Sequence, residues 1–328
     1  MSKPKPRITI VGLGLIGGSM GMALREADVA SIVVGHDKEL TIGKRAKKVG
    51  AVDQAEWNLI SACEDSDLVI LATPVGAIRP TLEAIAPYLK PYCVVIDTAS
   101  LKAQVLDWAD EILPEQVFFV GSNPVLNSVV EGQGGLDAAR SDLFQRGLFC
   151  MVPSVKADPA AVKLAADLVT ILGARPLFLD AAEHDGLLAA VSHLPPLLGL
   201  ALLETAMGQP TWRELRKVAG SSFASSTQLP FTDAADYSEM CVSNRENILR
   251  WLDAFSASLA SIRNILTAGQ SEELKQRFEE ALEERGKWLE DRAEGRWEED
   301  TGQVIPERVS LTDNLLGTFW RRKPKRDE

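Results

Sequence analysis

Residues 8–19, with the sequence ITIVGLGLIGGS, decide the fold. An apolar run typical of a buried strand leads directly into three glycines spaced Gly-x-Gly-x-x-Gly, and a helical pattern follows. In this context Gly12 permits a tight turn, Gly14 lets the backbone approach a pyrophosphate, and Gly17 lets the helix pack against the sheet. Because the N-terminus of a helix offers unpaired N–H groups to phosphates, the motif predicts a dinucleotide site.

A carboxylate follows the glycine motif at the sequence offset where ribose-binding acids occur in this kind of fold. Asp37 stands twenty residues after Gly17, at the end of the next predicted strand. An acid there accepts a hydrogen bond from the ribose 2′-hydroxyl and repels a 2′-phosphate, so the sequence favours NAD over NADP. FAD enzymes use the same glycine motif, but further βα units follow here, which favours a nicotinamide cofactor. Leu15 and Ile16 complete the expected cofactor loop.

The residues around this motif predict an α/β domain followed by an all-α domain. Up to residue 180, short apolar runs alternate with helical patterns, which indicates a Rossmann-type doubly wound parallel sheet. The predicted strands are 7–11, 31–35, 68–72, 94–97, 117–120, 148–152 and 176–179, and the predicted helices between them are 17–26, 41–49, 78–89 and 159–172. Later helical patterns cover 182–207, 244–267 and 271–293, with a loop or broken helix at 219–236. We therefore predict a dinucleotide-binding domain over 1–180 and a helical domain, with a C-terminal extension, over 181–328.

Composition excludes several classes of protein. The net charge of −11 argues against nucleic acid or an anionic membrane as a partner, because phosphates need clustered cations. The four cysteines form no CxxC pair and have no histidine cluster beside them, so we expect free thiols, a reducing compartment and no metal site. No uninterrupted apolar run reaches the length of a membrane span. The sequence thus predicts a cytoplasmic protein that acts on a small molecule.

Further motifs identify a family. The segments ATPV at 72–75, DTASLK at 97–102, EHD at 183–185 and VSHLP at 191–195 follow the glycine motif in order. Together they resemble the prephenate/arogenate dehydrogenase family over roughly residues 7–290. The resemblance implies a Rossmann domain, a helical domain through which two subunits form a homodimer, and an active site in the cleft between domains. It also implies NAD(P)-dependent oxidation of a ring alcohol, coupled to decarboxylation, in tyrosine biosynthesis.

The resemblance assigns roles to individual residues. Thr73 and Pro74 match cofactor-binding positions, and Ser100 matches the serine that contacts both the nicotinamide and the reacting hydroxyl. The basic residue of the same motif is Lys102, which we expect to bind substrate.

Two histidines match family histidines of the helical domain. His193 is the first candidate for acid–base work and His184 the second. They lie nine residues apart, which on an ideal α-helix places them on opposite faces and excludes a shared metal ion on one face.

Four substrate-side positions depart from the family pattern. Asn123 stands where the family has its catalytic histidine, and Val129 replaces a glutamate. Pro196 replaces a second histidine, and Gln228 replaces the arginine that grips the substrate carboxylate. Asparagine cannot accept the hydroxyl proton at neutral pH, and glutamine cannot neutralise a carboxylate. The cations of the helical domain that could take the place of the arginine are Arg213, Arg216, Lys217, Arg245 and Arg250.

Three functions therefore stay open. The first is oxidative decarboxylation of a cyclohexadienyl substrate, prephenate or arogenate, with Ser100, Lys102 and Asn123 orienting the hydroxyl. The second is a related dehydrogenase with a different hydroxy-acid substrate, since a substrate without the second carboxylate would not need an arginine at Gln228. The third is a catalytically silent, NAD-binding regulatory protein.

Overall fold

The computed structural model describes residues 5–126, 134–229 and 233–297. Val129 and residues 298–328 of the C-terminal extension lie outside the described residues. Within them the chain forms two compact units, divided between residues 181 and 182. Residues 282–297 belong to the first unit rather than to the helical one. Among them, Arg292 donates a hydrogen bond from Nη2 to the carbonyl oxygen of Leu126 at 2.5 Å. The sequence prediction, by contrast, places residues 282–297 in the helical domain.

The first unit is built on a sheet of eight strands. These are β1 Arg7–Val11, β2 Ile32–His36, β3 Gln54–Ala55, β4 Leu68–Leu71, β5 Val94–Asp97, β6 Phe118–Val125, β7 Leu148–Pro153 and β8 Arg175–Phe178. Their order across the sheet is β3-β2-β1-β4-β5-β6-β7-β8, and all neighbours are parallel except β6 and β7. The first six strands follow the order of a Rossmann sheet, which confirms the predicted fold class.

Helices cover both faces of this sheet. They are α1 Leu15–Glu26, α2 Leu40–Lys48, α3 Leu59–Cys63, α4 Val75–Ile85, α5 Ala103–Ile112 and α6 Pro159–Ile171. Alternate residues of one strand enter different cores: Leu68 and Ile70 belong to one buried cluster, and Val69 and Leu71 to the other. Because β4 is buried on both sides, its sequence is a continuous apolar run rather than an alternating one.

Two strands differ from the sequence prediction. β3 is only two residues long, too short to leave a pattern. β6 continues five residues past the predicted end at Val120, through Gly121 and Pro124, which disfavour a strand locally. Its pairing with β5 ends at Val120, and antiparallel pairing with β7 carries it on to Val125. Tertiary pairing therefore overrides local propensity in this segment.

Helices are the only regular elements among the described residues of the second unit. It contains α7 Ala181–Leu188, a π-helical segment Ala189–His193, α8 Leu194–Met207, α9 Trp212–Val218, α10 Ser221–Ser226, α11 Ala234–Ser243, α12 Arg245–Ala268 and the first half of α13 Ser271–Glu294. The stretch predicted as a loop or broken helix holds α10 and the start of α11, with residues 230–232 outside the described part.

The 27-residue helix Ala181–Met207 is long and apolar enough to cross a membrane by length and composition, although the sequence predicted no span. An apolar helix that packs in a protein interface meets the same criteria, so the helix by itself does not indicate a membrane protein.

All four cysteines are free, as predicted. Burial raises the pKa of the Cys63 thiol to about 12 and that of Cys150 to about 11. Both thiols are therefore protonated at neutral pH, which makes them poor nucleophiles.

Candidate functional site

The turn after β1 is possible only with glycine. Gly12 has φ +91°, and a Cβ atom added there would lie 2.4 Å from the carbonyl oxygen of Ala72. A Cβ on Gly17 would lie 1.9 Å from the carbonyl oxygen of Gly12. Gly14 has no heavy atom within 4 Å of an added Cβ, so its side of the turn is open. The start of α1 therefore presents open backbone to a ligand, as a dinucleotide phosphate requires.

Asp37 lies beside this turn and also braces it. Its Oδ2 accepts a hydrogen bond from the backbone N–H of Leu13 at 2.9 Å, and its Oδ1 accepts one from Glu39 at 2.9 Å. A carboxylate offers about four lone-pair positions, so this half-buried side chain keeps capacity for a ribose hydroxyl. The bracing contact is a second role that the spacing of the motif did not predict.

The end of β4 meets the same turn. The Cγ2 atom of Thr73 lies 3.1 Å from the position of a Cβ on Gly12, and Pro74 is the N-cap residue of α4. The Oγ1 atom of Thr73 is buried and has no hydrogen-bond partner among the described residues. A buried hydroxyl without a hydrogen-bond partner destabilises the folded chain, and a bound ligand that supplies the hydrogen bond removes this penalty. This hydroxyl, the open Gly14 and the start of α1 together fit a dinucleotide.

A second group of residues lies at the carboxyl ends of the neighbouring strands β5 and β6. Ser100 is half-buried, and Asn123 is buried near the end of β6. Asp97, the last residue of β5, accepts a hydrogen bond at Oδ1 from the backbone N–H of Ser122 at 3.0 Å. In doubly wound folds, ligands bind at the carboxyl ends of the parallel strands, so this group occupies a functional edge of the sheet.

The structure buries Lys102, the residue expected from its sequence motif to bind substrate. Its side chain is completely buried, and Nζ forms an ion pair with the equally buried carboxylate of Asp97. Because the ammonium group is paired with Asp97 and has no exposed surface, direct substrate binding by Lys102 stays a prediction. The family motif identifies Lys102 as its basic residue but does not show that the charge is buried, which becomes acceptable only when the charge is paired.

The second unit places both predicted histidines in one buried network. The Nδ1 atom of His184 lies 2.8 Å from Oδ1 of Asp185, and the carbonyl oxygen of Asp185 accepts a hydrogen bond from Nδ2 of Asn244 at 2.9 Å. The same amide nitrogen lies 3.0 Å from Nδ1 of His193. Because an amide nitrogen can only donate, Nδ1 of His193 accepts, and the proton of the neutral ring is on Nε2. Asn244 thus sets the tautomer of His193.

The network also explains why ideal helix geometry failed to predict the arrangement. The π-helical segment between the two histidines has more residues per turn than an α-helix, so counting nine residues does not place them on opposite faces. Both side chains are buried, at 0% and 1% exposure. Sequence reasoning did not identify Asn244 as a site residue, although it lies in a visible polar cluster, SNREN at 243–247.

One of the helical cations is linked to the histidine network. Arg250 donates from Nη2 to Oδ1 of Asn247 at 3.2 Å, and Asn247 donates to Oδ1 of Asn244 at 2.8 Å. Gln228 is exposed, and the chain beside it packs on α8, where its carbonyl oxygen is 3.7 Å from the position of a Cβ on Gly199. No group of His, Cys, Asp and Glu suited to a metal ion occurs in the described parts of the chain.

Comparison with known proteins places the chain in a family. The model for the nucleotide-binding domain of prephenate dehydrogenase matches residues 20–177, and the model for its dimerization domain matches residues 180–280. The chain belongs to the prephenate dehydrogenase family. The prephenate dehydrogenase of Bacillus subtilis is 28% identical over 287 residues, which are 87% of this chain and 76% of that one. The probable prephenate dehydrogenase NovF of Streptomyces niveus is 30% identical over 258 residues, 78% and 68% of the two chains.

Solved structures of the family have the same fold. The prephenate dehydrogenase of Aquifex aeolicus, determined with hydroxyphenyl propionate and NAD⁺, superposes with a TM-score of 0.79 at 24% identity, covering 88% of this chain and 99% of that one. The arogenate dehydrogenase of Synechocystis gives a TM-score of 0.70 at 25% identity, covering 86% and 99%.

The geometry of the family's glycine motif yields a test with a matched pair of variants. Gly17→Ala should lower the free energy of unfolding by about 1–3 kcal/mol, because the new methyl group meets backbone that has no room to move. Gly14→Ala should change it by less than about 1 kcal/mol, since nothing lies near the added atom. Urea unfolding followed by circular dichroism measures both, and equal losses would contradict the described turn.

Proposed function

We propose that this chain is an NAD-dependent dehydrogenase that oxidatively decarboxylates a cyclohexadienyl substrate, prephenate or arogenate, in the direction of tyrosine. The observation that carries the proposal is the sheet edge of the first unit, where three features follow the parallel strands. They are an open glycine turn, a Thr73 hydroxyl with no hydrogen-bond partner among the described residues, and the Ser100–Asn123 group. Relatives with this activity in their names support it, among them the cyclohexadienyl dehydrogenase of Zymomonas mobilis, 28% identical over 280 residues.

The proposed cofactor is NAD, with NADP less expected. When bound, NAD would supply the hydride acceptor. The backbone at Gly12, Gly14 and Gly17, with Leu15 and Ile16 at the start of α1, would hold its pyrophosphate. Asp37 would accept a hydrogen bond from the ribose, and Thr73 and Pro74 would line the neighbouring side of the cofactor loop. These residues fit the group because they combine an open backbone, a helix N-terminus and an unsatisfied hydroxyl.

The side chains proposed for the chemistry differ in what they can do with a proton. Ser100 and Asn123 can hydrogen-bond the substrate hydroxyl, but an amide does not take up its proton. Neutral His193, with its proton on Nε2, would donate from that atom, so it suits an anionic or carbonyl oxygen better than a hydroxyl proton. His184, paired with Asp185, is the second proposed catalytic residue.

The substrate carboxylate needs a cation, which Gln228 does not provide. Among the helical cations, Arg250 is the one proposed for this role, because it is exposed and connects through Asn247 to the histidine network. Gln228 distinguishes the proposed substrate from a different hydroxy acid, because a substrate without the second carboxylate needs no cation at this position. A different hydroxy acid, or NAD binding without turnover, is favoured if Arg250 has no influence on substrate affinity. A cytoplasmic location accords with the free thiols and with a small soluble substrate.

The first experiment measures turnover. The purified protein with NAD and prephenate, and separately arogenate, should form reduced nicotinamide, detected by its absorbance. Asn123→His should raise kcat by roughly 10²–10⁴, because it supplies a general base at the hydroxyl. Asn264→His, on the exposed part of α12, is the control and should have no effect. Bound NAD without reduction in any of the three proteins would contradict the proposed activity and favour a regulatory role.

A second experiment tests the cofactor preference. Asp37→Ala should weaken NAD binding by roughly 10-fold or more and narrow the preference over NADP, since a charged hydrogen bond to the ribose contributes about 1.5–3 kcal/mol. Asp37→Asn keeps an oxygen for the N–H of Leu13 but removes the charge. It should therefore retain the stability of the turn while accepting NADP more readily. Isothermal titration gives both affinities, and unchanged values would refute the role of Asp37.

We also infer that two copies form a homodimer through the helical unit. Large apolar side chains of this unit are exposed in a single chain, including Leu202 at 43% and Val218 at 82%. A groove of about 510 Å³ lies among α8, α9 and α10, lined by Trp212 and Phe223 among others. Exposed apolar surface of this extent is typical of an interface, and the matching family domain is named for dimerization.

Leu202→Glu should convert the dimer to a monomer, because it would bury an unpaired charge in the interface. Val155→Glu, at a 96% exposed position of the first unit, is the control and should leave the mass unchanged. Sedimentation equilibrium measures both. A monomeric parent protein, or a dimer that tolerates glutamate at residue 202, would contradict the proposed interface.

A further inference from the structure

At the carboxyl ends of β5 and β6, the contact between the two strands changes from main-chain pairing to hydrogen bonds made by Asp97. Main-chain pairing of the two strands ends at Ile96 and Val120. Beyond that point the side chain and carbonyl group of Asp97 continue the contact. Its Oδ1 accepts from the N–H of Ser122 at 3.0 Å, and its carbonyl oxygen accepts from the Ser122 hydroxyl at 2.5 Å. Asn123, the next residue, pairs with Cys150 of β7, and the link to Asp97 holds this part of β6 against the segment that follows β5.

Lys102 closes the loop that follows β5. The Oδ2 atom of Asp97 accepts from the N–H of Ala99 at 3.0 Å and also from the ammonium group of Lys102. The first and last residues of the segment 97–102 are therefore joined through their side chains, and Ser100 lies within the closed segment. Both charges have 0% exposure, so no water screens the attraction between them.

Gly121 makes room for the lysine chain. A Cβ added at Gly121 would lie 3.0 Å from Cδ of Lys102 and 2.9 Å from the carbonyl oxygen of Val152 on β7. The aliphatic part of Lys102 thus passes between β6 and the loop, at a place where any larger residue would push it away. One ion pair consequently contacts both segments that carry the proposed hydroxyl-binding side chains.

We propose that the Asp97–Lys102 ion pair is a positioning device that fixes Ser100 and Asn123 relative to each other at the functional edge. This inference rests on the proposed function and gives Lys102 a role other than substrate binding. A buried ion pair is costly to desolvate, and an apolar pair of similar volume is often as stable. Here the carboxylate also holds two backbone N–H groups, which an apolar side chain does not do.

The consequence for a hydride transfer is geometric. A misplacement of about 1 Å between reacting groups can lower the rate about 10²-fold without loss of binding. Loss of the pair should therefore lower kcat by roughly 10²-fold, while NAD affinity, which depends on the turn after β1, changes less than about 3-fold. A merely structural pair would instead lower stability and leave kcat per folded molecule unchanged.

The test compares Asp97→Asn, Lys102→Met and the double variant. Each single variant leaves one buried charge unpaired and should be the least stable. The double variant removes both charges, so its melting temperature should recover, but its kcat should stay about 10²-fold low with a nearly unchanged KM and NAD affinity. Recovery of kcat together with stability would overturn the proposal. As a matched control, Arg79→Met with Glu111→Gln removes an exposed ion pair between α4 and α5, and kcat should not change.

A second measurement separates this proposal from the proposed function. If the parent protein does not turn over prephenate or arogenate, the proposed function fails, but hydrogen exchange still reports on the pair. The amide protons of Ala99 and Ser122 should exchange slowly in the parent protein and at least about 10-fold faster in the double variant, relative to amides at the centre of β4. Unchanged protection would overturn the positioning role, whatever the activity.

Discussion

The close contact between the turn after β1 and the end of β4 is the constraint on which the first unit depends. Only a residue without a side chain fits at Gly12 and at Gly17, because backbone oxygens lie within 2.4 Å of where a Cβ would be. Asp37 then ties β2 to the same turn through the N–H of Leu13. These contacts bring the ends of three neighbouring strands, β2, β1 and β4, together and leave the start of α1 accessible, which is the arrangement that a dinucleotide requires.

At the ends of β5 and β6, the structure is held by a buried ion pair rather than by close packing of backbone. Where the main-chain pairing of β5 and β6 stops, the carboxylate of Asp97 takes its place, and buried Lys102 neutralises it. An arrangement of this kind is less tolerant than an apolar core, since removal of either partner leaves a buried charge. The family assignment explains the cofactor side of the chain well. On the substrate side, Asn123 and Gln228 are amides, which neither take up a proton nor carry a charge at neutral pH.

In the helical unit, a short π-helical segment changes the faces on which two histidines lie. Nine residues of ideal α-helix would separate His184 from His193, but the π-helical segment between them and the amide of Asn244 bring both into one network. The amide also sets which ring nitrogen of His193 carries the proton, and this decides whether the ring donates or accepts toward a ligand. The exposed apolar side chains of the same unit, Leu202 among them, are the reason why a second copy is the proposed partner.

The sequence by itself determined the Rossmann-type sheet, the helical unit and the glycine turn, because hydrophobic periodicity and glycine spacing are local properties that the chain carries wherever it folds. It also located Asp37, since the offset between two strands is nearly constant in this fold. Only the tertiary structure decided that β6 leaves its parallel neighbour for antiparallel β7, that Lys102 is buried against Asp97, and that Asn244 joins the two histidines. Each of these depends on residues brought together from distant parts of the sequence or by an irregular helix, so the free energy that selects them is not visible in any local pattern.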